Sequence, residues 1–218
     1  MGEVKDEKPT RPYRSRVREE SARRTRRAVV AAAADLFVAR GYTATSLADV
    51  AAAAGVARPT VFAAFGSKAA LLRQVLDEAL AGDDEPIPVA QRPWYRPVWE
   101  AESPGEVLDA YADVCTLIGG RAARVFETVR RAADGSPEAA EVWQTLLRNR
   151  RIGARMVVER LVALGPLRHG SDVERAIDEV WFYNDPAHYG ALVHGLGWDE
   201  PTYRQWLARS MRHALLPG

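Results

Sequence analysis

The chain has few of the residues that would tie it together covalently or carry it across a bilayer. Its 218 residues contain one cysteine, Cys115. That excludes an internal disulfide and any zinc site built from cysteines, and leaves Cys115 to be read as a small buried hydrophobe. The longest wholly apolar run, Ala28 to Ala34, is seven residues and mostly alanine. A membrane helix needs roughly 20. The N-terminal Met-Gly-Glu-Val-Lys-Asp carries no apolar leader, and Asp6 stands where a myristoylation signal wants Ser or Thr. A cytoplasmic protein with no membrane partner is therefore expected. Alternating polar and apolar residues, the mark of a half-buried strand, do not recur over any convincing length, so the fold class is all-α.

What is present is an ordinary globular composition, 47% hydrophobic and 27% charged, in a length that suits one large domain or a small and a medium one at roughly 150 residues each. The net charge of +1 conceals a division, since residues 1–80 carry +5 and residues 81–218 carry −4. Within the first part, Arg11 to Arg27 holds eight arginines against Glu19 and Glu20. A block of that kind is either a solvated tail or an arm for a polyanion. Five of the thirteen prolines fall between Pro86 and Pro104, and with Asp83-Asp84-Glu85 they mark 82–103 as an irregular, proline-rich connection. Beyond it, Ser103-Pro104 with Glu106 opens a helix by a capping box. Ser136-Pro137 opens the longest helix, which should run to Leu164 and stop at a left-handed Gly165 before Pro166. Ser171 with Glu174 opens another that ends near Asn184. Pro186 restarts a short helix to about Val193, and a final helix covers Glu200 to Leu215.

Between Arg23 and Leu80 the apolar spacing gives four short helical pieces. Val29, Ala33, Leu36 and Phe37 form one stripe that stops at Gly41, and Leu47, Val50 and Ala51 form a second that begins at Thr45-Ser46. Only Gly55 to Ala57 separate it from a third piece, Arg58 to Ala64, and Gly66-Ser67-Lys68 opens a fourth with Leu71, Leu72, Val75, Leu76 and Leu80. Two short helices joined by a glycine-containing turn are a helix-turn-helix, whose second member can enter the major groove. This text, with Gly41-Tyr42, Thr45-Ser46-Leu47, Val50-Ala51, Ala54-Gly55-Val56, Thr60-Val61-Phe62, Phe65 and Ser67-Lys68-Ala69-Ala70-Leu71, resembles the TetR family of transcriptional regulators over about fifty residues.

The resemblance implies a homodimer with N-terminal DNA-binding domains and a larger helical C-terminal domain that dimerises and senses a small molecule. It divides the chain into a basic flexible arm (1–22), a three-helix DNA-binding domain (23–66) and a ligand-binding and dimerisation domain (67–218). Thr45, Ser46, Arg58, Pro59, Thr60, Phe62 and Lys68 are the expected DNA-binding residues. Thr45 can donate its hydroxyl to a phosphate at a helix N-terminus, and the Arg58 fork can grip guanine O6 and N7. Lys68 matches the family's phosphate-contacting lysine. The same side chains also fit a plain cap (Thr45) and solvated surface (Arg58, Thr60). Departures from the family pattern matter as well. Phe62 replaces a usual tyrosine, Ala57 stands where Ser commonly caps, and Ala63 and Ala64 leave the recognition helix poor in base-reading groups. Weight therefore shifts to Arg58, Thr60 and the arginine arm, the arm as a backbone or minor-groove contact. Richness in Ala and Arg with three lysines suits a high-G+C bacterium.

For the C-terminal domain, Ala176, Val180, Tyr183, Tyr203, Leu207 and Met211 are the expected dimer stripe, although an intramolecular core explains them too. Tyr111, Phe126 and Trp143, taken to lie on three successive helices, are the candidate pocket residues beside plain core packing. Arg150 lies on the apolar face of the longest helix and needs a partner, either a carboxylate such as Asp113 or an anionic ligand. Trp94, Tyr95 and Trp99 either cover the pocket or pin the connection. No metal, cofactor or catalytic set is expected: Asp83-Asp84-Glu85 reads as solvated linker, and His188 and His194 are six apart rather than the four of a helical metal pair. The sequence thus points to a non-enzymatic regulator, a repressor released from a palindromic double-stranded operator by a small-molecule effector. An activator of the same fold, or a binding protein whose helix-turn-helix has lost specific recognition, are the readings left open.

Overall fold

The structure, a computed structural model, describes residues 11–168 and 172–217. Every regular element among the described residues is helical. In chain order they are α1 (Arg11–Arg40), α2 (Leu47–Ala53), α3 (Arg58–Phe65), α4 (Lys68–Ala81), two single 3₁₀ turns (Val89–Gln91 and Pro93–Tyr95), α5 (Arg96–Glu100), α6 (Pro104–Ala133), α7 (Pro137–Leu164), α8 (Val173–Tyr183), α9 (Pro186–Tyr189) continued by a π-helical turn (Gly190–Gly195), and α10 (Glu200–Leu215).

The caps explain the boundaries. Ser103 Oγ accepts the Glu106 amide at 3.3 Å and Ser136 Oγ the Ala139 amide at 3.3 Å, with proline at the first helical position of each helix. Asp199 caps α10 through the Thr202 amide at 2.8 Å. Three expectations change. Gly165 ends α7 with φ 175°, extended rather than left-handed. Ser171 lies outside the described residues, and the cap of α8 is Asp172, which accepts the Arg175 amide at 2.7 Å. The basic arm is also not separate from the first helix: residues 11–22 continue it without a break, and residues 1–10 lie outside the described residues. Arg, Glu and Ala are good helix formers, and the stretch from Tyr13 to Arg40 contains neither glycine nor proline.

Two hydrophobic cores divide the molecule. The first joins Val29, Phe37, Val50, Val61, Leu71 and Leu72 of α1–α4 to Phe126 and Val129 of α6 and to Val142 and Leu146 of α7. The helix-turn-helix is thus built onto one end of the long α6–α7 pair. The second core lies around the other end, among α5–α8 and α10, with Tyr95, Tyr111, Val157, Ile177, Tyr203 and Leu207. It consumes the expected dimer stripe: Ala176, Val180, Leu207 and Met211 are fully buried within one protomer and Tyr203 is 1% exposed. A side chain sealed inside its own subunit cannot face a second one, so the intramolecular alternative holds for these five. Tyr183 alone stays half-buried.

Close approach of α9 to α6 depends on Gly119, where a Cβ would lie 2.6 Å from the buried Tyr189 ring. At Gly153, in mid-α7, a Cβ would meet nothing within 4 Å. Gly119→Ala is expected to destabilise the fold by about 1–2 kcal/mol, overpacking outweighing the helix-propensity gain. Gly153→Ala should instead stabilise it by up to ~1 kcal/mol. Paired urea titrations check the opposite signs.

Candidate nucleic-acid interface and adjoining cavity

The turn between α2 and α3 is set by backbone chemistry. Gly55 takes φ +66°, and the Val56 amide bonds back to the Ala51 carbonyl at 3.0 Å. The two helices cross at 112°, within the range of a helix-turn-helix. Ser46 caps α2 in a full capping box with Asp49, whose carboxyl is held below its ordinary range by the Ser46 hydroxyl and amide. Ala57 gives α3 no side-chain cap, and Val61 is the helix's one buried residue. The other end of α3 is held from α1. Arg26 donates to the Ala64 carbonyl at 2.6 Å, and its guanidinium lies 4.5 Å from the Phe65 ring centre, a cation placed at a helix C-terminus.

This frame leaves Arg58, Pro59, Thr60 and Phe62 exposed along one short helix, Phe62 at 61%. Arg58 makes no hydrogen bond or ion pair among the described residues. Thr45 does not join them. It is 1% exposed, and its hydroxyl donates to the Gly41 carbonyl at 2.9 Å, so the phosphate role expected of it is lost to the α1–α2 turn. Lys68 is half committed to the same turn. Its ammonium donates to the Tyr42 carbonyl at 3.0 Å and the Thr45 carbonyl at 3.1 Å and sits 4.2 Å above the Tyr42 ring, leaving one of three N–H donors. Burial lowers its pKa.

The acidic triplet expected to be solvated linker is instead a strap. Asp84 receives two arginine forks from α1: Arg23 at 2.8 Å to each carboxylate oxygen, and Arg27 at 3.0 and 2.6 Å. Glu85 also pairs with Arg23. Asp83 binds Arg92 at 2.7 Å, and Arg92, 3% exposed, further donates to the Glu85 and Ile87 carbonyls. Hydrogen bonds from the two guanidinium groups hold the Asp84 carboxyl far below the usual carboxylate range. No spacing rule announces pairs 57 to 62 residues apart. The available signal was charge complementarity between the Arg-rich block and the triplet.

Behind the strap lies a cavity of about 1160 Å³. Its walls are Ala22 and Arg26 of α1, Gln74, Asp77 and Glu78 of α4, the strap itself, Tyr95, Tyr111 and Cys115, and Leu146, Arg150 and Met156 of α7. Of the four expected pocket residues, two line it. Tyr111 and Arg150 do, whereas Phe126 and Trp143 pack edge to face at 4.9 Å in the first core. Tyr111 and Phe126 also share one helix, α6, because no break interrupts Pro104–Ala133. Tyr95 both lines the cavity and stacks on Trp99 at 5.0 Å, and Trp99 pins the connection by donating to the Ala90 carbonyl at 2.7 Å.

Arg150 finds an internal partner, but not Asp113. It donates to the Asn184 side-chain oxygen at 3.0 and 2.8 Å, to Asp185 at 3.0 Å and to the Trp181 carbonyl at 2.7 Å, while Asp113 pairs with Arg204 on the far side of α6. Asn184 in turn donates to the Tyr111 hydroxyl at 3.0 Å. Burial pushes the Cys115 thiol up to about 12, so it stays a protonated, inert lining group. Among the described residues no three His, Cys, Asp or Glu side chains are placed to hold a metal ion, and no single helix is long and apolar enough to cross a membrane.

Comparison with known proteins matches residues 29–75 to the model of bacterial regulatory proteins, tetR family. An uncharacterized HTH-type transcriptional regulator of Bacillus subtilis (strain 168), YdeS, is 25% identical over 183 residues, 84% of each chain. Solved structures share the fold at lower identity. A putative transcriptional regulator from Saccharomonospora viridis in complex with choline superposes with TM-score 0.65 at 18% identity, covering 87% of this chain and 96% of that one. The regulator FadR from Bacillus subtilis in complex with stearoyl-CoA gives 0.67 at 17%, covering 84% and 96%.

Asp84→Asn removes the charge shared by Arg23 and Arg27. It is expected to speed amide hydrogen exchange in α1 around residues 23–27 while leaving α6 and α7 protected. In the parent chain the same loosening should require acid: the folded pKa is depressed, so the contribution is complete above about 3.9 and fades as pH falls below it. Unchanged α1 exchange in the variant would remove the strap's role.

Proposed function

Because residues 29–75 match the model of bacterial regulatory proteins, tetR family, we propose that the chain is a TetR-family repressor released from a palindromic operator by a small molecule held in the cavity behind the strap. The observation that carries this reading is continuity. Helix α1 holds the end of the recognition helix through Arg26, is clasped by the strap through Arg23 and Arg27, and itself forms part of the cavity wall. An occupant that displaces the strap changes the hold on α1, and with it the aim of α3. Coupling of about 1–3 kcal/mol suffices for a 5–150-fold change in operator affinity.

On the DNA side, Arg58 reads a base edge, Thr60 and Phe62 offer a hydroxyl and an apolar contact such as a thymine methyl accepts, and Pro59 packs against the backbone. Ser46 and the free N–H of Lys68 meet phosphates. The exposed Arg16 and Arg18 on the N-terminal turns of α1 add sequence-independent attraction. A palindrome requires a homodimer, and the surface for it must differ from the stripe buried in the second core. Phe182, 56% exposed, begins an aromatic ladder through His188 at 4.8 Å to Trp206 at 6.1 Å, which joins the end of α8 by way of α9 to the middle of α10. The second copy covers this ladder.

Selection of bound sequences from a random double-stranded pool should enrich a palindrome. Arg58→Ala is then expected to cost ~1–3 kcal/mol on the matched site and little on a site altered at one position per half, whereas Arg16→Ala with Arg18→Ala should weaken all sequences alike and flatten the salt slope. Equal losses for Arg58→Ala on both sites would end its assignment as a base reader. Phe182→Asp should give a monomer by light scattering, with operator affinity falling at least tenfold; a dimer that persists would place the interface elsewhere.

A further inference from the structure

The cavity's charges are unevenly spent, and that unevenness selects a ligand. Every arginine on its wall is engaged. Arg23 is held by Asp84 and Glu85, Arg92 by Asp83, Arg26 by the Ala64 carbonyl and the Phe65 face, and Arg150 by Asp185, Asn184 and the Trp181 carbonyl. Four of the five guanidinium donors of Arg150 are used. At Arg23, Arg92 and Arg150 an incoming anion would compete with a carboxylate already in place. On the opposite wall, α4 presents Gln74, Asp77, Glu78 and Ala81 at helical spacing, while its other face, Leu71, Leu72, Val75 and Leu76, is sunk in the first core. Asp77 makes no hydrogen bond or ion pair among the described residues. Glu78 receives only the neutral Gln74 amide at 2.9 Å.

We propose that this cavity takes an amphiphilic organic cation, its charged group held by Asp77 and Glu78 and its apolar body laid along Tyr95, Tyr111 and Leu146. The proposal rests on the reading of the cavity as the effector site and adds to it the sign of the charge. Physical support comes from three directions. A carboxylate beside apolar surface without a counter-ion is an unfavourable arrangement that a cation relieves. The surrounding protein already pushes the Asp77 carboxyl above its ordinary range although its side chain is open to the cavity, and Arg73, one turn back, acts on it through space without forming an ion pair. Two tyrosines share the walls and offer aromatic surface to the apolar body. The volume, about 1160 Å³, suits a bulky hydrophobic ion.

The test uses the full chain and two probes of almost the same size and shape but opposite charge, tetraphenylphosphonium and tetraphenylborate, titrated by calorimetry. The phosphonium is expected to bind at least tenfold more tightly than the borate. Asp77→Asn with Glu78→Gln, isosteric changes outside the core, should remove most of that preference without moving the melting temperature of the free protein. Equal affinity for the two ions, or preference for the borate, overturns the proposal while leaving an effector cavity in place. Binding of neither ion overturns it as well, and operator selection by the ligand-free protein still decides the regulator reading on its own. Undiminished preference in the double variant would show that the cation sits elsewhere.

Discussion

One carboxylate organises the junction on which this molecule turns. Asp84 follows the left-handed end of α4 at Gly82 and faces two arginines one helical turn apart on α1, so a single side chain fixes both the direction of the connection and the position of the N-terminal helix. Most exposed ion pairs add little to stability. This one differs in geometry, being bidentate toward two partners with Asp84 only 13% exposed, and its neighbours Asp83 and Glu85 repeat the pattern with Arg92 and Arg23. The strap has no hydrophobic core of its own. Its order comes from charge complementarity, which makes it the part of the cavity wall most open to displacement.

The DNA-binding end shows how a small domain spends its polar groups. Thr45 and Lys68 were the sequence's clearest phosphate candidates, yet the structure uses the whole hydroxyl of one and two of three donors of the other to close the turn between α1 and α2. A turn of six residues between two packed helices leaves backbone carbonyls facing inward, and each needs a donor. What stays free on α3 is narrow, one arginine and one threonine beside an exposed phenylalanine, so the proposed reading of DNA rests on few side chains and on the basic surface of α1. Part of that basic surface is structural. Arg23, Arg26 and Arg27 serve the strap and the end of α3, and the count of eight arginines overstates the charge offered to a polyanion.

Inside the C-terminal part, the same accounting separates lining from core. Phe126 and Trp143 look like pocket aromatics by composition, but α6 and α7 turn them onto each other in the first core, while Tyr111, four turns before Phe126 on α6, faces the cavity. Arg150 bridges the two regions: its guanidinium stands 5.5 Å from the Phe126 ring and is neutralised by Asp185 at the start of α9. A buried cation so fully satisfied anchors a wall. The unpaired charge lies across from it on α4, one turn from the strap.

The sequence by itself determined most of the helices and the helix-turn-helix, because these rest on local rules: apolar spacing in α2–α4, serine caps at Ser46, Ser103 and Ser136, prolines at first positions, and the glycine-containing turn at Gly55. It also determined that Arg150 must have a partner, since the cost of an unpaired buried charge is independent of fold. Tertiary structure alone decided which partner, because Asp113 points to Arg204 while Asp185 arrives from a loop 35 residues on. It decided likewise that Ala176, Val180, Tyr203, Leu207 and Met211 close a core within one subunit instead of facing a second, for an apolar stripe is the same in sequence whichever surface buries it. And it joined Asp84 to Arg23 and Arg27 and left Asp77 alone, since a charge is strap, spare or solvated only by what the fold brings within reach.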